Sequence, residues 1–411
     1  MSDISRLSAR SSQESLRSTS STPSIQSIQS EPEKLAPAVD GPMVWKGAEL
    51  DPTKYVLDLQ EHEIAEIRTA IVSFKLSSLP RSSIDATTFP LSKQLADKLS
   101  SVSDEVHKGR GVAVVRGLDT AKLNDEEAVI AFVGVSSYVC PSRATDSYAN
   151  QTLILQSSLV TNLTSLTGHI RDATHDAVPE WAQDLGLAGS KLPVAMEFHS
   201  DRFSGDVLAL HVRNDGGADS GGEQYVASFW KVYNELLGTE PAVLETMAAA
   251  DWPFELKQQN KSPYLELGPT LFFAQGKPLC QLVKAPLLGS PRIPRSSEMP
   301  SLTKEQLHAL EVVEGLARRF STRLDRRIGD LQYINNLSIM HARSAYSARA
   351  SPPHDGRHLL RMFLRDPRNM WAKPSSFSTN FDDPFAEGRE QNISILDLDP
   401  WRKISGRESH G

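Results

Sequence analysis

The sequence predicts a mainly β fold, a sandwich or barrel of short strands with a few flanking helices. Three observations lead there. Short apolar segments separated by turn residues crowd the second half of the chain, helical periodicity is confined to a few stretches, and no internal repeat is visible. In chain order, Leu57, Leu59, Ile64, Ile67 and Ile71 recur at helical spacing and predict an amphipathic helix through about Lys75. The run from Gly109 to Gly117 is apolar between glycines, as in a short buried strand. Pro141 to Lys191 is polar with weak periodicity and reads as an excursion over a pocket. Strands are then expected at Val194–Phe198, Val207–Val212, Tyr225–Phe229, Thr270–Ala274, Leu331–Ile334 and Leu359–Leu364. Helices are expected near Val232–Ala249 and Thr303–Phe320, the second opening on Thr303 and Gln306 placed as a capping box.

Three regions follow: a disordered serine-rich tail over 1–45, a folded domain over 46–371, and a wrapping C-terminal segment over 372–411. Serine, threonine, glutamine and proline dominate the first thirty residues, which hold too little apolar surface to offset the entropy of ordering. Arg6, Arg10 and Arg17 among serines keep a mitochondrial presequence open, but Asp3 and Glu14 run against it, and a cytoplasmic location is expected. The 411 residues carry a net charge of −7, which offers nucleic acid no basic field, and no apolar run is long enough to span a membrane. Cys140 and Cys280 cannot form a disulfide framework and read as buried thiols of a reducing compartment.

Spacing sorts the eleven histidines. In His199-Ser-Asp201 an imidazole and a carboxylate two apart on an extended segment point to one side. With His341, in Asn335-Asn-Leu-Ser-Ile-Met-His-Ala-Arg343, they compose a two-histidine, one-carboxylate set. Such a set suits non-haem Fe(II) and leaves coordination sites for a keto acid and O2. In Arg357-His-Leu-Leu-Arg361, Arg357, Leu359 and Arg361 share one strand face. An arginine on an inward face needs an anion, and a guanidinium matches a carboxylate bidentately. Arg202 and Arg343 are further candidates for a substrate's acidic group, and His169 is a candidate to reach a substrate or else a loop-packing histidine.

These motifs, in this order and together with Ala227-Ser-Phe-Trp-Lys-Val-Tyr-Asn-Glu-Leu236 and Asp251-Trp-Pro-Phe254, resemble the taurine dioxygenase and dichlorophenoxyacetate dioxygenase family, and within it the fungal branch, from about Tyr55 to Trp371. The resemblance implies a double-stranded β-helix core (a jelly roll, cupin-like) and oxidation of a substrate coupled to decarboxylation of 2-oxoglutarate. It assigns His199, Asp201 and His341 to iron, Arg357 to the far carboxylate of 2-oxoglutarate and Arg361 to the substrate's acidic group, with no catalytic side chain beyond the metal centre. Tyr333 and Asn335 would wall the distal histidine. Gln224 stands where the family often has a threonine assisting the same carboxylate.

The expected activity is therefore that of an Fe(II)- and 2-oxoglutarate-dependent dioxygenase on a small organic acid, an amino acid or a secondary-metabolite precursor. Hydroxylation is the default, with desaturation and ring closure left open. Expected partners are the small-molecule substrate alone, with neither nucleic acid nor membrane and with a homo-oligomer left open. A non-catalytic sensor of metal and 2-oxoglutarate, and an interaction protein working through its serine-rich tail, are the other readings.

Overall fold

The computed structural model describes residues 35–118, 123–145, 168–178, 187, 189–217, 220–258, 261–289, 294–347, 356–389 and 391–396. The strands are β1 (Val56–Asp58), β2 (Val112–Arg116), β3 (Ser142–Arg143), β4 (Gly168–Arg171), β5 (Met196–His199), β6 (Val207–Asn214), β7 (Gln224–Ser228), β8 (Trp252–Gln258), β9 (Lys261–Gly268), β10 (Leu271–Ala274), β11 (Lys277–Cys280), β12 (Thr322–Arg323), β13 (Leu331–Asn335), β14 (Ile339–Arg343) and β15 (His358–Arg365). The larger sheet runs β1-β2-β13-β6-β15-β3, with β4 on the other half of β15's edge. Its β1–β2 pair is parallel, and its other pairs are antiparallel. The smaller sheet runs β12-β7-β14-β5.

This corrects the expected mainly β jelly roll. The fold is mixed α/β, and both sheets are open rather than closed into a double-stranded β-helix. The physical reason lies in the outer faces. On the larger sheet Ala113, Val115, Ala209, Leu331, Tyr333, Leu360 and Met362 alternate onto one side, in a core shared with the helices Glu61–Leu76, Lys93–Lys108 and Asp125–Val139. Ala227, Met340 and Phe198 do the same on the smaller sheet, under helices Phe229–Thr239, Pro241–Ala248 and Lys304–Phe320. Sheets apolar on both faces demand helical cover. The remaining faces, with Val114, Leu208, Leu210, Ile334 and Leu359 on one sheet and Val226 and Ile339 on the other, form a third core.

Several elements differ locally from the expectation. The helix expected over Val232–Ala249 is two, because Glu240 leaves helical geometry and Pro241, having no N–H, starts a new helix. The helix Asp125–Val139 buries Ala128 through Ser137 without a break, so it presents no amphipathic stripe to read. The Thr303–Gln306 capping box is present. Residues 1–34 of the expected tail lie outside the described residues. Residues 35–45 pack on the body: Tyr233 donates to the Ala36 carbonyl at 2.6 Å, and Met43 and Trp45 are buried. In the C-terminal segment, Phe377 and Phe381 enter the inter-sheet core. Among the described residues no helix is long and apolar enough to cross a membrane.

A buried ion network fastens that C-terminal segment. Asp206 accepts from Arg365 Nε and Lys373 Nζ, each at 3.0 Å, and Arg365 also reaches Asp382 at 2.6 Å. Burial pushes the Asp206 carboxyl up, but Lys373 and Arg365 together outweigh it and hold it below the ordinary range. Burial also disfavours the charge on Lys373, so Arg365 is the firmer partner. A depressed carboxyl stabilises the fold above the unfolded pKa of about 4 and loses that contribution as pH falls through its folded value. Asp206→Asn is expected to cost about 3–5 kcal/mol at pH 7. The gap in melting temperature between wild type and variant should close as pH falls below about 4; a gap independent of pH would refute this account.

Candidate active site

The two strands that carry the histidines are neighbours. His199 ends β5 and His341 lies directly opposite it on β14, which brings the two rings to 4.2 Å between centroids. Past the end of β5 the chain hooks. Ser200 turns away, its hydroxyl donating to the Cys280 carbonyl at 2.8 Å, and Asp201 comes back to the histidine side. One oxygen of Asp201 stands 4.0 Å from His199 Nε2 and the other 3.3 Å from His341 Nε2. The three donors lie within 4.8 Å of one another.

The surrounding residues set the chemistry of these donors. His199 Nδ1 is 2.7 Å from the Glu197 carbonyl, which can only accept, so Nδ1 carries the proton and Nε2 keeps its lone pair toward Asp201. Burial, reinforced by His341, pushes the His199 pKa down to about 4, so the ring is neutral near pH 7. The hook is held by Asn336. Its Oδ1 accepts from the Asp201 backbone N–H at 2.9 Å, and its Nδ2 donates to the carbonyls of Asp201 and Gly205 at 2.7 and 2.9 Å. Gly205 has φ +147°, and a Cβ there would sit 2.7 Å from that of Phe363. Asn336→Ala is expected to lower metal affinity by roughly 10- to 100-fold without touching a ligand. Metal titration of the folded variant checks this, and wild-type affinity would refute it.

From the triad a cavity of about 60 Å³ opens between the sheets, walled by Leu208, Leu210, Val226 and Leu359 and bordered by Gln224, Arg343, Arg357 and Arg361. Arg357 is buried. Burial first, then Arg343 and Arg326, pushes its guanidinium pKa down to about 9. Its Nε and Nη1, like Gln224 Oε1, have no hydrogen-bond partner among the described residues. Gly222, at φ +76°, makes room for it, since a Cβ there would lie 2.8 Å from the Arg357 side chain. A buried guanidinium with idle donors is costly until an anion arrives.

The structure thus brings together His199, Asp201, His341, Gln224, Arg357 and Arg361 around one cavity. Arg202 and His169 are not among its described lining residues. Arg202 is buried elsewhere, its guanidinium 3.9 Å from the Phe254 ring centroid and donating to the Pro269 carbonyl at 2.8 Å. His169 stacks on His358, with Nδ1 3.0 Å from the other ring's Nε2. Tyr333 faces the outer core, where its hydroxyl meets Ser136 at 3.0 Å, and Asn335 donates to the Val106 carbonyl at 3.1 Å. Neither walls the distal histidine. Sequence reasoning missed Asn336, whose only local signal was a second polar residue closing a strand. It also missed Tyr346, described below.

A curated protein, the "Taurine hydroxylase-like protein SAT17" of Stachybotrys chartarum, is 29% identical over 376 residues, 91% of this chain and 92% of the relative. The FR-33289 synthase of Streptomyces rubellomurinus is 25% identical over 354 residues, 85% and 96% of the two chains. Among solved structures, an asparagine oxygenase in complex with Fe(II), 2S,3S-3-hydroxyasparagine and succinate superposes with a TM-score of 0.53 at 13% identity, covering 80% of this chain and 98% of that one, a likeness of fold. The model of the family described as "Taurine catabolism dioxygenase TauD, TfdA family" matches residues 75–363, a span that includes all three triad residues, Arg357 and Arg361. With two imidazoles and a carboxylate converging inside that matched span, the chain belongs to the TauD, TfdA family of dioxygenases.

Proposed function

We propose that His199, Asp201 and His341 hold Fe(II) and that Arg357 binds the far carboxylate of 2-oxoglutarate, with Gln224 beside it. Two imidazoles and one carboxylate, with one donor atom of each within 4.8 Å of the others, are a donor set that would hold Fe(II). With Fe(II), 2-oxoglutarate and O2 bound, such a centre couples decarboxylation to succinate and CO2 with oxidation of a substrate C–H bond. The chain's own part is positioning. The Glu197 carbonyl fixes the tautomer of His199, Asn336 holds the backbone that carries the Asp201 carboxylate, Arg357 would orient the keto acid from its far end, and the apolar wall would keep water from the reacting bond.

The substrate we assign is a small organic acid, an amino acid or a secondary-metabolite precursor, hydroxylated by default. Arg361 on the cavity rim, the taurine hydroxylase-like relative and the hydroxyasparagine in the similar fold support this reading. The 29% identity to the Stachybotrys protein, over an alignment covering 91% of the chain, supports the fungal branch, and two buried free thiols support a cytoplasmic location. We also keep 46–371 as the catalytic unit, wrapped by the segment that follows it.

The observation that carries the proposal is the placement of a metal-binding triad and the unsatisfied Arg357 at one cavity. Anaerobic difference spectroscopy with Fe(II) and 2-oxoglutarate tests it. A visible charge-transfer band is expected in the wild type and its absence in His199→Ala, with succinate formed once O2 is admitted. No band in wild-type protein with iron bound would sink the assignment.

A further inference from the structure

Arg357 is not alone at its end of the cavity. Arg343 lies on the same strand face as His341, two residues further along β14, opposite Gln224 on β7. It is buried; its Nη2 donates to the carbonyls of Leu192 and Val194 at 2.8 and 2.6 Å, while its Nε and Nη1 have no partner among the described residues. The Tyr346 ring joins the two arginines, with Arg343 Cζ 4.9 Å and Arg357 Cζ 5.4 Å from its centroid. The Tyr346 hydroxyl is also buried without a hydrogen-bond partner among the described residues. Arg361 lies inside β15, opposite Gly168 and Leu210, and its guanidinium stands 5.4 Å from the Phe363 ring centroid rather than over Tyr346.

Two guanidiniums stacked on one ring, each with idle donors, repel one another and are poorly solvated. One carboxylate with two oxygens can satisfy both at once, each oxygen accepting from one fork. The two carbonyls bonded by Arg343 anchor only one of its nitrogens and leave the rest directed to another role. We propose that Arg343 is a second co-substrate-binding residue, clamping the far carboxylate of 2-oxoglutarate together with Arg357 on a Tyr346 platform. This rests on the co-substrate reading above. It makes the site selective for a keto acid with a second carboxylate, because a keto acid without one would leave two buried cations unneutralised.

The test compares 2-oxoglutarate with 2-oxopentanoate, which has the same chain length and no far carboxylate. Each is titrated anaerobically into Fe(II)-loaded protein and followed by the charge-transfer band. Arg343→Gln is expected to weaken 2-oxoglutarate by about 10- to 100-fold and to leave 2-oxopentanoate at its wild-type affinity. Arg343→Lys, which keeps the charge and loses the fork, should fall between, and it serves alone should the glutamine variant not fold. Equal loss for both acids would make Arg343 merely structural, and unchanged selectivity would exclude it from the site; either overturns the inference. Absence of any band in iron-loaded wild type would instead strike the co-substrate reading itself.

Discussion

His341→Ala is expected to lose Fe(II) through desalting and to show no substrate-dependent succinate formation. The wild-type site offers one lone pair from each histidine and a carboxylate whose oxygens face both rings, 4.0 and 3.3 Å away. Removing one donor of three would take a whole bond from the metal proposed to sit there. The loss of affinity should exceed the roughly 10- to 100-fold typical of disturbing a residue that only supports a ligand. His341 is the cleaner position for this test than His199, because it is partly exposed and its Nδ1 bonds no described residue, so the fold loses little. A second readout separates binding from activity. Added divalent metal should raise the melting temperature of the wild type in a concentration-dependent way and leave the variant unmoved. Metal-dependent stabilisation that survives in His341→Ala would remove His341 from the metal centre.

Arg357→Gln should raise the KM for 2-oxoglutarate steeply while leaving metal binding intact. Truncating one partner of a buried, charge-assisted contact costs about 2–5 kcal/mol, or roughly 30- to 5,000-fold in affinity. The free protein points the same way. Burial and the neighbouring Arg343 and Arg326 press the Arg357 guanidinium down to about 9, and an arriving carboxylate relieves that pressure. In its absence the variant is expected to be at least as stable as the wild type, since a buried cation whose Nε and Nη1 have no partner among the described residues has been removed. Steady-state kinetics at varied 2-oxoglutarate, beside apo-protein melting curves, check both expectations. A variant with wild-type KM would show that the cavity's anion binds elsewhere.

The triad was legible because its geometry is nearly local. Two residues apart on an extended chain, His199 and Asp201 need only Ser200 to turn away, and the structure shows that turn. His341 was legible from its context, yet its placement required β14 to pair directly with β5, a contact across 142 residues that no local pattern specifies. The alternation in Arg357–Arg361 held: Leu359 and both arginines border the cavity, while Leu360 enters the outer core. Arg202 illustrates the limit. One residue from a proposed ligand, it is carried by the same hook in another direction, to aromatic rings and a backbone carbonyl. Adjacency in sequence says nothing about direction once a strand has ended.

For the fold, several strands were readable as short apolar runs between turn residues, and capping chemistry located the helix at Lys304–Phe320. The uniformly apolar helix Asp125–Val139 was not, because periodicity vanishes when every side is buried. The helix Lys93–Lys108 was also left unread, and with both helices missing the fold looked mainly β. By itself the sequence determined the chemistry available: which imidazoles, carboxylate and guanidiniums the site can draw on. Tertiary structure alone decided that both sheets are open and covered by helices, that Asn336 holds the metal-side hook, and that Arg343 and Arg357 share one tyrosine. Those outcomes depend on contacts between residues far apart in the chain, whose free energy is settled by packing and burial and leaves no periodic trace in the sequence.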